Sequence, residues 1–410
     1  MSNNVPEIRF KGFTNAWEHR KLGEAAEFSK GNGYSKGDLT DKGTPIILYG
    51  RLYTNYETVI ENVNTYTELK EKPVISQGGE VIVPSSGETA EDISRASVVE
   101  KPGVILGGDL NIIKPDSRMH PTFLAITISN GKQQKELSKR AQGKSVVHIG
   151  NSDLKEVALQ FPSLPEQTAI GNFFRTLDDA ITLHKRKLDG LKELKKGYLQ
   201  QMFPQAGEST PRVRFDGFTG DWEVRKLGEV AERITRKNSN FESERPLTIS
   251  AQYGLIDQND FFDKQVASKD VSGYFLLKRG EFAYNKSYSN GYPWGAVKRL
   301  DKYDMGVLST LYIIFKPINV ESEFLVQYYE TTDWHIEIAA RAAEGARNHG
   351  LLNITPTDFF ETVLQVPPTK AEQISIGNFF KMLDNQIVDQ QAKLDKLKQL
   401  KSAYLRKMFI

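Results

Sequence analysis

Residues 170–202 read IGNFFRTLDDAITLHKRKLDGLKELKKGYLQQM, with apolar side chains in alternating steps of four and three residues. This spacing is a heptad repeat, which is typical of a helix that packs along one seam against another helix. The pattern returns at residues 376–408 as IGNFFKMLDNQIVDQQAKLDKLKQLKSAYLRKM. The seam positions that we expect to be buried are Ile170, Phe174, Leu177, Ile181, Leu188, Leu191, Ile376, Phe380, Leu383, Ile387, Leu394 and Leu397.

Polar residues interrupt both seams at corresponding places. His184 and Lys195 occupy two seam positions of the first stretch, and Gln390 and Lys401 occupy the same two in the second. A seam that is otherwise apolar must be buried against a partner, and the economical partner of each copy is the other copy.

Each heptad stretch is preceded by a signal for the start of a helix. Ser163 and Thr369 stand three residues before Glu166 and Glu372. This spacing is that of a capping box, in which the hydroxyl and the carboxylate bind backbone N–H groups of the first turn. A helix running from about residue 164 to residue 202 would be ~57 Å long at ~1.5 Å per residue.

The duplication extends beyond the helices. Residues 6–24 recur as residues 211–229, including the same Arg-Phe-x-Gly-Phe-Thr and Arg-Lys-Leu-Gly-Glu strings, and residues 159–174 recur as 364–380. The sequence between these blocks diverges. Each half of the chain therefore consists of an opening block, a divergent domain and a closing block that leads into a helix.

The divergent domains nevertheless share a pattern of elements. Short apolar runs next to glycine or proline predict strands in both, and apolar residues at three-and-four spacing predict a helix after the second strand of each. The predicted strands are residues 79–83, 111–115, 280–284 and 313–317, and the predicted helices are residues 121–139 and 323–343. Each domain is thus predicted to be a mixed α/β unit.

Connectivity predicts the direction of the helices. The first stretch ends near Met202 and the second opening block begins at Pro211, so the second domain follows the far end of the first helix. If the two seams pack together, the helices run antiparallel and each opening block lies near the end of the other half's helix. We therefore predict an α+β, mixed α/β protein with two similar domains joined by two long antiparallel coiled-coil helices in pseudo-twofold symmetry.

This doubled arrangement resembles the specificity (S) subunit of type I restriction-modification systems. The opening blocks, residues 9–24 and 214–229, look like the entry to that family's target-recognition domains, and the Pro-x-x-x-Glu-Gln block from Pro162 looks like the start of its helical spacers. The resemblance implies four segments, listed in order: target-recognition domain 1 at 1–155, a central spacer helix at 156–205, target-recognition domain 2 at 206–360, and a C-terminal spacer helix at 361–410.

The resemblance also implies a function without catalysis. Each domain would read one half of a bipartite, asymmetric site in double-stranded DNA, and the helices would fix the gap and dock two methyltransferase subunits. Those subunits would bring S-adenosylmethionine, and restriction subunits would supply nuclease and translocase activity with ATP and Mg. The chain itself is expected to bind no cofactor.

Nothing in the sequence suggests chemistry of its own. The formal net charge is +2, so any DNA-binding surface must be local, and there is no cysteine to ligate a metal. The Gly143-Lys144-Ser145 string lacks the glycine that a phosphate-binding loop requires five residues earlier, where Ser138 stands. The six histidines are scattered singly, which gives no metal-ligand spacing. With neither a secretory signal nor a membrane-spanning run, the protein is expected to be cytoplasmic.

Polar and basic loops after the predicted strands are the candidate DNA contacts, because Lys and Arg bind phosphates while Asn, Ser and similar side chains read base edges. In the first domain the candidates are Lys30, Asn32, Tyr34, Lys36, Ser85, Ser86 and Lys144. In the second they are Arg236, Lys237, Asn238, Lys286, Ser287, Tyr288, Asn290, Arg347 and Asn348. The other interpretation of these loops is that they are ordinary polar turns. Trp17 and Trp222 are interpreted as packing anchors rather than base-stacking residues.

Two other classes of function stay open. A duplicated protein-binding scaffold predicts partner binding that is insensitive to salt and no affinity for DNA. A DNA enzyme acting alone would need the motifs that the sequence lacks.

Overall fold

The computed structural model describes residues 5–143, 146–250, 253–262, 267–287, 292–342 and 352–409. The chain divides into two compact units: unit 1 comprises Met1–Lys187 and Gln390–Ile410, and unit 2 comprises Leu188–Asp389. Within the described residues, no helix is both long and apolar enough to cross a membrane.

Unit 1 contains the first divergent domain. Its strands are β1 (Glu18–Lys21), β2 (Ala26–Lys30), β3 (Leu39–Thr40), β4 (Thr44–Ile47), β5 (Val59–Ile60), β6 (Tyr66–Thr67), β7 (Glu80–Pro84), β8 (Ser86–Gly87), β9 (Ser97–Val99), β10 (Ile105–Leu106), β11 (Leu110–Pro115), β12 (Val147–His148) and β13 (Ala158–Phe161). Its helices are α1 (Arg51–Thr54), α2 (Ala90–Ile93), α3 (Pro121–Ile128), α4 (Gly131–Arg140), α5 (Asn151–Lys155) and the first part of α6 (Leu164–Gln201).

The main sheet of unit 1 has the order β2-β11-β7-β9-β5, and a second sheet has the order β10-β4-β6-β3. Side chains alternate between two cores along β7, because successive residues of a strand point to opposite faces. Val81 and Val83 belong to the core that contains Trp17 and the start of α6. Ile82 belongs to the core on the other face.

Unit 2 contains the second divergent domain. Its strands are β14 (Glu223–Lys226), β15 (Ala231–Ile234), β16 (Leu247–Ser250), β17 (Gly254–Asp257), β18 (Phe275–Lys278), β19 (Phe282–Asn285), β20 (Ala296–Arg299), β21 (Met305–Leu308), β22 (Ile313–Pro317) and β23 (Val363–Val366). Its helices are α7 (Leu227–Val230), α8 (Gln258–Phe262), α9 (Ser322–Tyr328), α10 (Asp333–Arg341), α11 (Pro356–Phe360) and the first part of α12 (Lys370–Lys407).

The main sheet of unit 2 has the order β15-β22-β19-β20, and all of its strand pairs are antiparallel. The same alternation separates two cores: Phe282 and Tyr284 face the core that contains Trp222, whereas Ala283 faces the other. All four strands predicted in the divergent domains are present as β7, β11, β19 and β22.

The two helices predicted within the domains are each broken in two. The stretch from Pro121 forms α3 and α4, because Ser129 turns its hydroxyl back to the Ala125 carbonyl and Gly131 has φ +68°, a left-handed conformation that ends a helix. In the second domain α9 and α10 are separated by a turn in which the Thr331 hydroxyl donates to the Tyr328 carbonyl. The apolar spacing continues across both breaks, so spacing alone did not reveal them.

The two heptad stretches form single helices, α6 and α12, of 38 residues each. In unit 1 the carboxylate of Asp178 in α6 pairs with Lys401 in α12, and His184 contacts Gln390. Residue numbers rise along α6 as they fall along α12, so these segments are antiparallel. In unit 2 Lys195 binds Asp384 at 2.6 Å, and the helix segments there also run antiparallel.

The seam positions are covered in both helices. The buried ones are Ile170, Phe174, Leu177, Leu188, Ile376, Phe380, Leu383 and Leu394. Those partly covered are Ile181, Leu191, Ile387 and Leu397.

Candidate nucleic-acid interface

A buried ion pair connects each opening block to the start of a helix. The guanidinium of Arg9 donates to both carboxylate oxygens of Glu166, at 2.8 and 2.6 Å, and Arg214 donates to Glu372 at 2.6 and 2.8 Å. Both carboxylate side chains are only 1% exposed. The hydrogen bond and charge of each glutamate raise the pKa of its arginine.

These pairs correct the predicted capping boxes. Thr369 does accept a hydrogen bond from the backbone N–H of Glu372, at 3.3 Å. The carboxylates of Glu166 and Glu372, however, bind arginines instead of their own helix termini. The capping prediction was wrong about the glutamates because the competing arginines are distant in sequence.

The glutamine that follows each glutamate fastens the helix to the α/β domain. Gln167 donates to the carbonyls of Pro162 and Arg118, and its side-chain oxygen accepts from the N–H of His120, just before α3. Gln373 likewise donates to Pro367 and accepts from the N–H of Glu321, just before α9. The repeated Glu-Gln dipeptide thus serves two connections, one to the opening block and one to the domain.

Both repeated tryptophans are buried packing residues, as predicted. Trp17 packs edge-on against Phe123 at 5.8 Å between ring centroids and against Phe409 at 6.4 Å. Trp222 makes the equivalent contacts with Phe203 and Phe324, at 5.9 and 5.7 Å. Both tryptophans therefore belong to an aromatic cluster in the core of their unit.

The first candidate loop follows β2. Lys30 and Lys36 are exposed. Asn32 is exposed and its side-chain amide donates to the Lys72 carbonyl at 3.4 Å. A Cβ atom on Gly31 would lie 1.9 Å from the carbonyl oxygen of Gly107, so only glycine permits this close approach.

Tyr34 lies beneath this loop rather than on its surface. Its ring is buried, and its hydroxyl accepts a hydrogen bond from the backbone N–H of Lys70 at 2.8 Å. The Lys70 ammonium lies 5.1 Å above the ring and also binds Asp38. We therefore assign Tyr34 a role in shaping the loop and not in touching a ligand.

The structure brings the second candidate loop of this domain next to the first. The N–H of Ser85 donates to the carbonyl of Asp109, and the N–H of Gly31 donates to the nearby carbonyl of Leu110. Ser85 is buried, whereas Ser86 is partly covered and its carbonyl accepts from the hydroxyl of Tyr53 at 2.6 Å. Only Ser86 of the two serines offers its side chain to the surface.

In the second domain, Arg236, Lys237 and Asn238 lie against β18. Arg236 makes a bidentate ion pair with Glu281, and Lys237 is exposed, with its ammonium 4.2 Å from the centroid of the Phe275 ring. Asn238 is fully buried and holds Ser243 through two hydrogen bonds. Asn238 therefore shapes the turn, and Lys237 is the exposed cation of this group.

Lys286 and Ser287 lie elsewhere in that domain. The ammonium of Lys286 donates to the Ile354 carbonyl at 3.3 Å, and burial lowers its pKa. The N–H of Ser287 is held by the Asn285 side chain at 3.0 Å. The candidates Lys144, Tyr288, Asn290, Arg347 and Asn348 lie outside the described residues.

Strained backbone occurs beside three of the candidate loops. Among the described residues, the non-glycine residues with positive φ are Lys72, Asp109 and Phe241, at 53°, 59° and 52°. Each is hydrogen-bonded to a predicted contact residue, respectively Asn32, Ser85 and Asn238. Such strain persists only where the surroundings enforce it, and it is concentrated at functional sites. Neither hydrophobic periodicity nor a sequence motif indicates a positive φ, so these three residues could not be predicted from the sequence.

The described residues contain no group of three or more His, Asp or Glu side chains arranged to hold a metal ion. The described loops instead offer exposed cations and amides, which suit phosphate oxygens and base edges.

Comparison with known proteins identifies the class to which this architecture belongs. Residues 15–193 match the family model described as the type I restriction modification DNA specificity domain. That part of the chain is therefore similar to type I DNA specificity domains, and the resemblance inferred from the repeated motifs is confirmed.

Two curated relatives come from Methanocaldococcus jannaschii. The protein named as the MjaX type I restriction enzyme specificity subunit is 26% identical over 231 residues, covering 52% of this chain and 52% of the relative. The MjaVIII specificity subunit is 19% identical over 170 residues, covering 41% of this chain and 39% of the relative. The alignments thus span about half of the first relative's length and less of the second's.

Solved structures share the fold over nearly the whole chain. The type I restriction-modification S subunit from M. genitalium superposes with a TM-score of 0.63 at 16% identity, covering 99% of both chains. A chain from a study of complex assembly and conformational transition of the type I system gives a TM-score of 0.50 at 16% identity, covering 97% and 98%. The fold is therefore that of type I S subunits.

Proposed function

We propose that this protein is the DNA-sequence-specificity subunit of a type I restriction-modification complex and has no catalytic activity of its own. The observation that carries the proposal is the repetition of one construction in a single chain. A DNA specificity domain in the first half has its anchoring contacts, the Arg9–Glu166 and Arg214–Glu372 pairs, repeated in the second. Two domains that are attached in the same way but differ in their loops are suited to binding two different DNA sequences.

Each domain reads one half of a bipartite, asymmetric site in double-stranded DNA. The first reader comprises residues 1–155 and the second residues 206–360, with spacers at 156–205 and 361–410. The exposed cations Lys30, Lys36 and Lys237 bind phosphates, and polar groups such as Asn32 and Ser86 reach base edges. These exposed lysines and polar loops would confer local affinity for DNA on a chain whose overall charge is nearly balanced.

The two long helices act as a rigid antiparallel spacer with pseudo-twofold symmetry. Support comes from the reciprocal ion pairs, Lys401 with Asp178 and Lys195 with Asp384, which lock equivalent positions of the two helices. Asp178 also accepts a hydrogen bond from Thr58, and Asp384 accepts one from Gln327. Each ion pair between the helices is therefore also hydrogen-bonded to the α/β domain of its unit. A flexible connection would sample many gaps between half-sites and lose specificity.

The helices also dock two methyltransferase subunits, which carry S-adenosylmethionine. Both helices leave large apolar side chains exposed, a feature that marks protein contact surfaces when several occur together. They include Leu183, Leu194, Val388 and Leu400. Restriction subunits with ATP and Mg complete the complex, which acts on DNA in the cytoplasm.

The decisive experiment is co-expression with the cognate methyltransferase subunit, followed by mapping of methylated adenines across a genome. We expect a split motif with a fixed gap. Exchanging residues 30–145 for those of another family member should change one half of the motif only. A four-residue helical insertion near Leu188 should lengthen the gap and leave both halves unchanged.

Two results would contradict the proposal. A continuous motif, or a change in both halves after the exchange, would exclude two independent readers. Salt-insensitive binding to partner proteins with no affinity for DNA would favour the protein-binding scaffold.

A further inference from the structure

Phe241 is presented outward from a strained turn in the second domain. Its φ is +52°, and its side chain is 52% exposed. For a residue with a Cβ atom the left-handed conformation is unfavourable, and an exposed phenyl ring recovers little free energy from burial. Since about half of the side chain is covered, burial offsets the unfavourable backbone only in part.

The turn that carries Phe241 is held firmly from below. Asn238 is fully buried, its amide donates to the Ser243 carbonyl at 2.8 Å, and its side-chain oxygen accepts from the Ser243 N–H at 3.1 Å. The N–H of Phe241 donates to the Asn238 carbonyl at 2.9 Å, and the Asn238 N–H donates to the backbone carbonyl of Tyr274 at 3.0 Å. These bonds hold the turn, and Phe241 lines a surface cavity together with Pro246 and Asn259.

The surroundings of the turn suit a nucleic acid. Lys237, an exposed cation, immediately precedes Asn238. Of the two nearby glutamates, Glu242 lies 3.8 Å from the ammonium of Lys278, which offsets its charge, and the exposed Glu244 lines the same cavity as Phe241. A phenyl ring has no donor or acceptor for a phosphate, so at a DNA surface it contributes through stacking on bases or through contact with a thymine methyl group.

We propose that Phe241 is a base-contacting residue of the second domain, whose ring inserts at a base step of the half-site read by that domain and stacks on a nucleobase there. This inference rests on the proposed function and deepens it. The strained turn holds the ring in place before DNA arrives, so little entropy is lost when the ring stacks.

The test compares variants of the complete methyltransferase complex on a duplex that contains its mapped split site. Phe241→Gly removes the ring and suits the left-handed backbone, so thermal stability should be unchanged or higher while affinity falls about tenfold. Phe241→Asn, which also tolerates this backbone, should behave similarly. Phe241→Trp should retain affinity because stacking persists. The matched control is Phe261→Ala, which removes another exposed aromatic ring of the same domain.

A second readout locates the contact. The fluorescent base 2-aminopurine is placed at successive positions of the duplex. The fluorescence with the Phe241→Gly complex should differ from that with the parent complex in the second half-site and be the same in the first. The inference is overturned if the glycine variant binds the site as tightly as the parent complex. It is also overturned if that variant loses affinity for the methyltransferase in the absence of DNA. A parent complex that binds no split site would instead remove the proposed function.

Discussion

Arg9 and Glu166 lie 157 positions apart in the chain, yet they form a bidentate ion pair in which the carboxylate is almost completely buried. The pair joins the opening block to the first turn of α6. Its counterpart, Arg214 with Glu372, joins the second opening block to the first turn of α12 in unit 2.

Removing one partner of this pair should destabilise unit 1 strongly. Arg9→Ala leaves the Glu166 carboxylate buried without its cation, which costs about 3–5 kcal/mol. We expect calorimetry to show a lower melting temperature for Arg9→Ala, and Arg214→Ala should act in the same way on unit 2. The control is Arg20→Ala, because the Arg20–Glu18 pair is exposed and should contribute about 1 kcal/mol or less. Equal effects at Arg9 and Arg20 would refute the structural importance of the buried pair.

The polar contact between His184 and Gln390 should lower stability relative to an apolar seam. The Gln390 amide, which is 4% exposed, donates to both the ring nitrogen and the carbonyl of His184. His184→Leu deprives one amide hydrogen of its acceptor and should cost about 1 kcal/mol. The double variant His184→Leu/Gln390→Leu completes the apolar heptad and should be more stable than the parent chain. The free energies of unfolding in urea of the parent chain and both variants test this order. A double variant that is less stable than His184→Leu would contradict it.

Acid should weaken the loop after β2 through Asp38. Hydrogen bonds from Lys70 and then from Ser35 lower the pKa of Asp38 to about 2, against about 3.9 in an unfolded chain. Since the folded state favours the carboxylate, its stabilising contribution is present above about pH 4 and is lost as the pH falls toward 2. The difference in unfolding free energy between the parent chain and Asp38→Asn should therefore shrink on acidification. A difference that is constant between about pH 5 and pH 3 would contradict this linkage.

The lysines of the same loop should govern the salt dependence of DNA binding. Each phosphate contact contributes about 0.9 to the slope of log affinity against log salt concentration. Lys30→Ala/Lys36→Ala should reduce that slope by up to about two such contributions in the assembled complex. Lys11→Ala, which changes an exposed lysine of the opening block, serves as the control. An unchanged slope in the double variant would place the phosphate contacts elsewhere.

Periodic and repeated features were predictable from the amino-acid sequence. The heptad spacing from Ile170 predicted both long helices because burial of one helical face leaves a regular pattern in the chain. The duplicated blocks predicted paired packing residues, and Trp17 and Trp222 fulfil this role. The central strands were found because each is a short apolar run that either follows a glycine or ends at a proline.

Several features of the candidate interface could not be read in this way. Tyr34 and Asn238 were grouped with exposed polar residues, but the distant Lys70 N–H and Val271 carbonyl bind them beneath the loops. Burial of a polar side chain depends on whether distant groups satisfy its hydrogen bonds, and a single loop sequence does not contain that information.

The order of amino acids alone was sufficient to establish the doubled construction and its helical seams, because repetition and spacing are written along one dimension. Folding in three dimensions decided that Glu166 binds Arg9 instead of capping its own helix. It also decided that Phe241 adopts a left-handed backbone. The physical reason is the same in both cases: the choice between competing local and long-range hydrogen bonds is made only when distant parts of the chain meet.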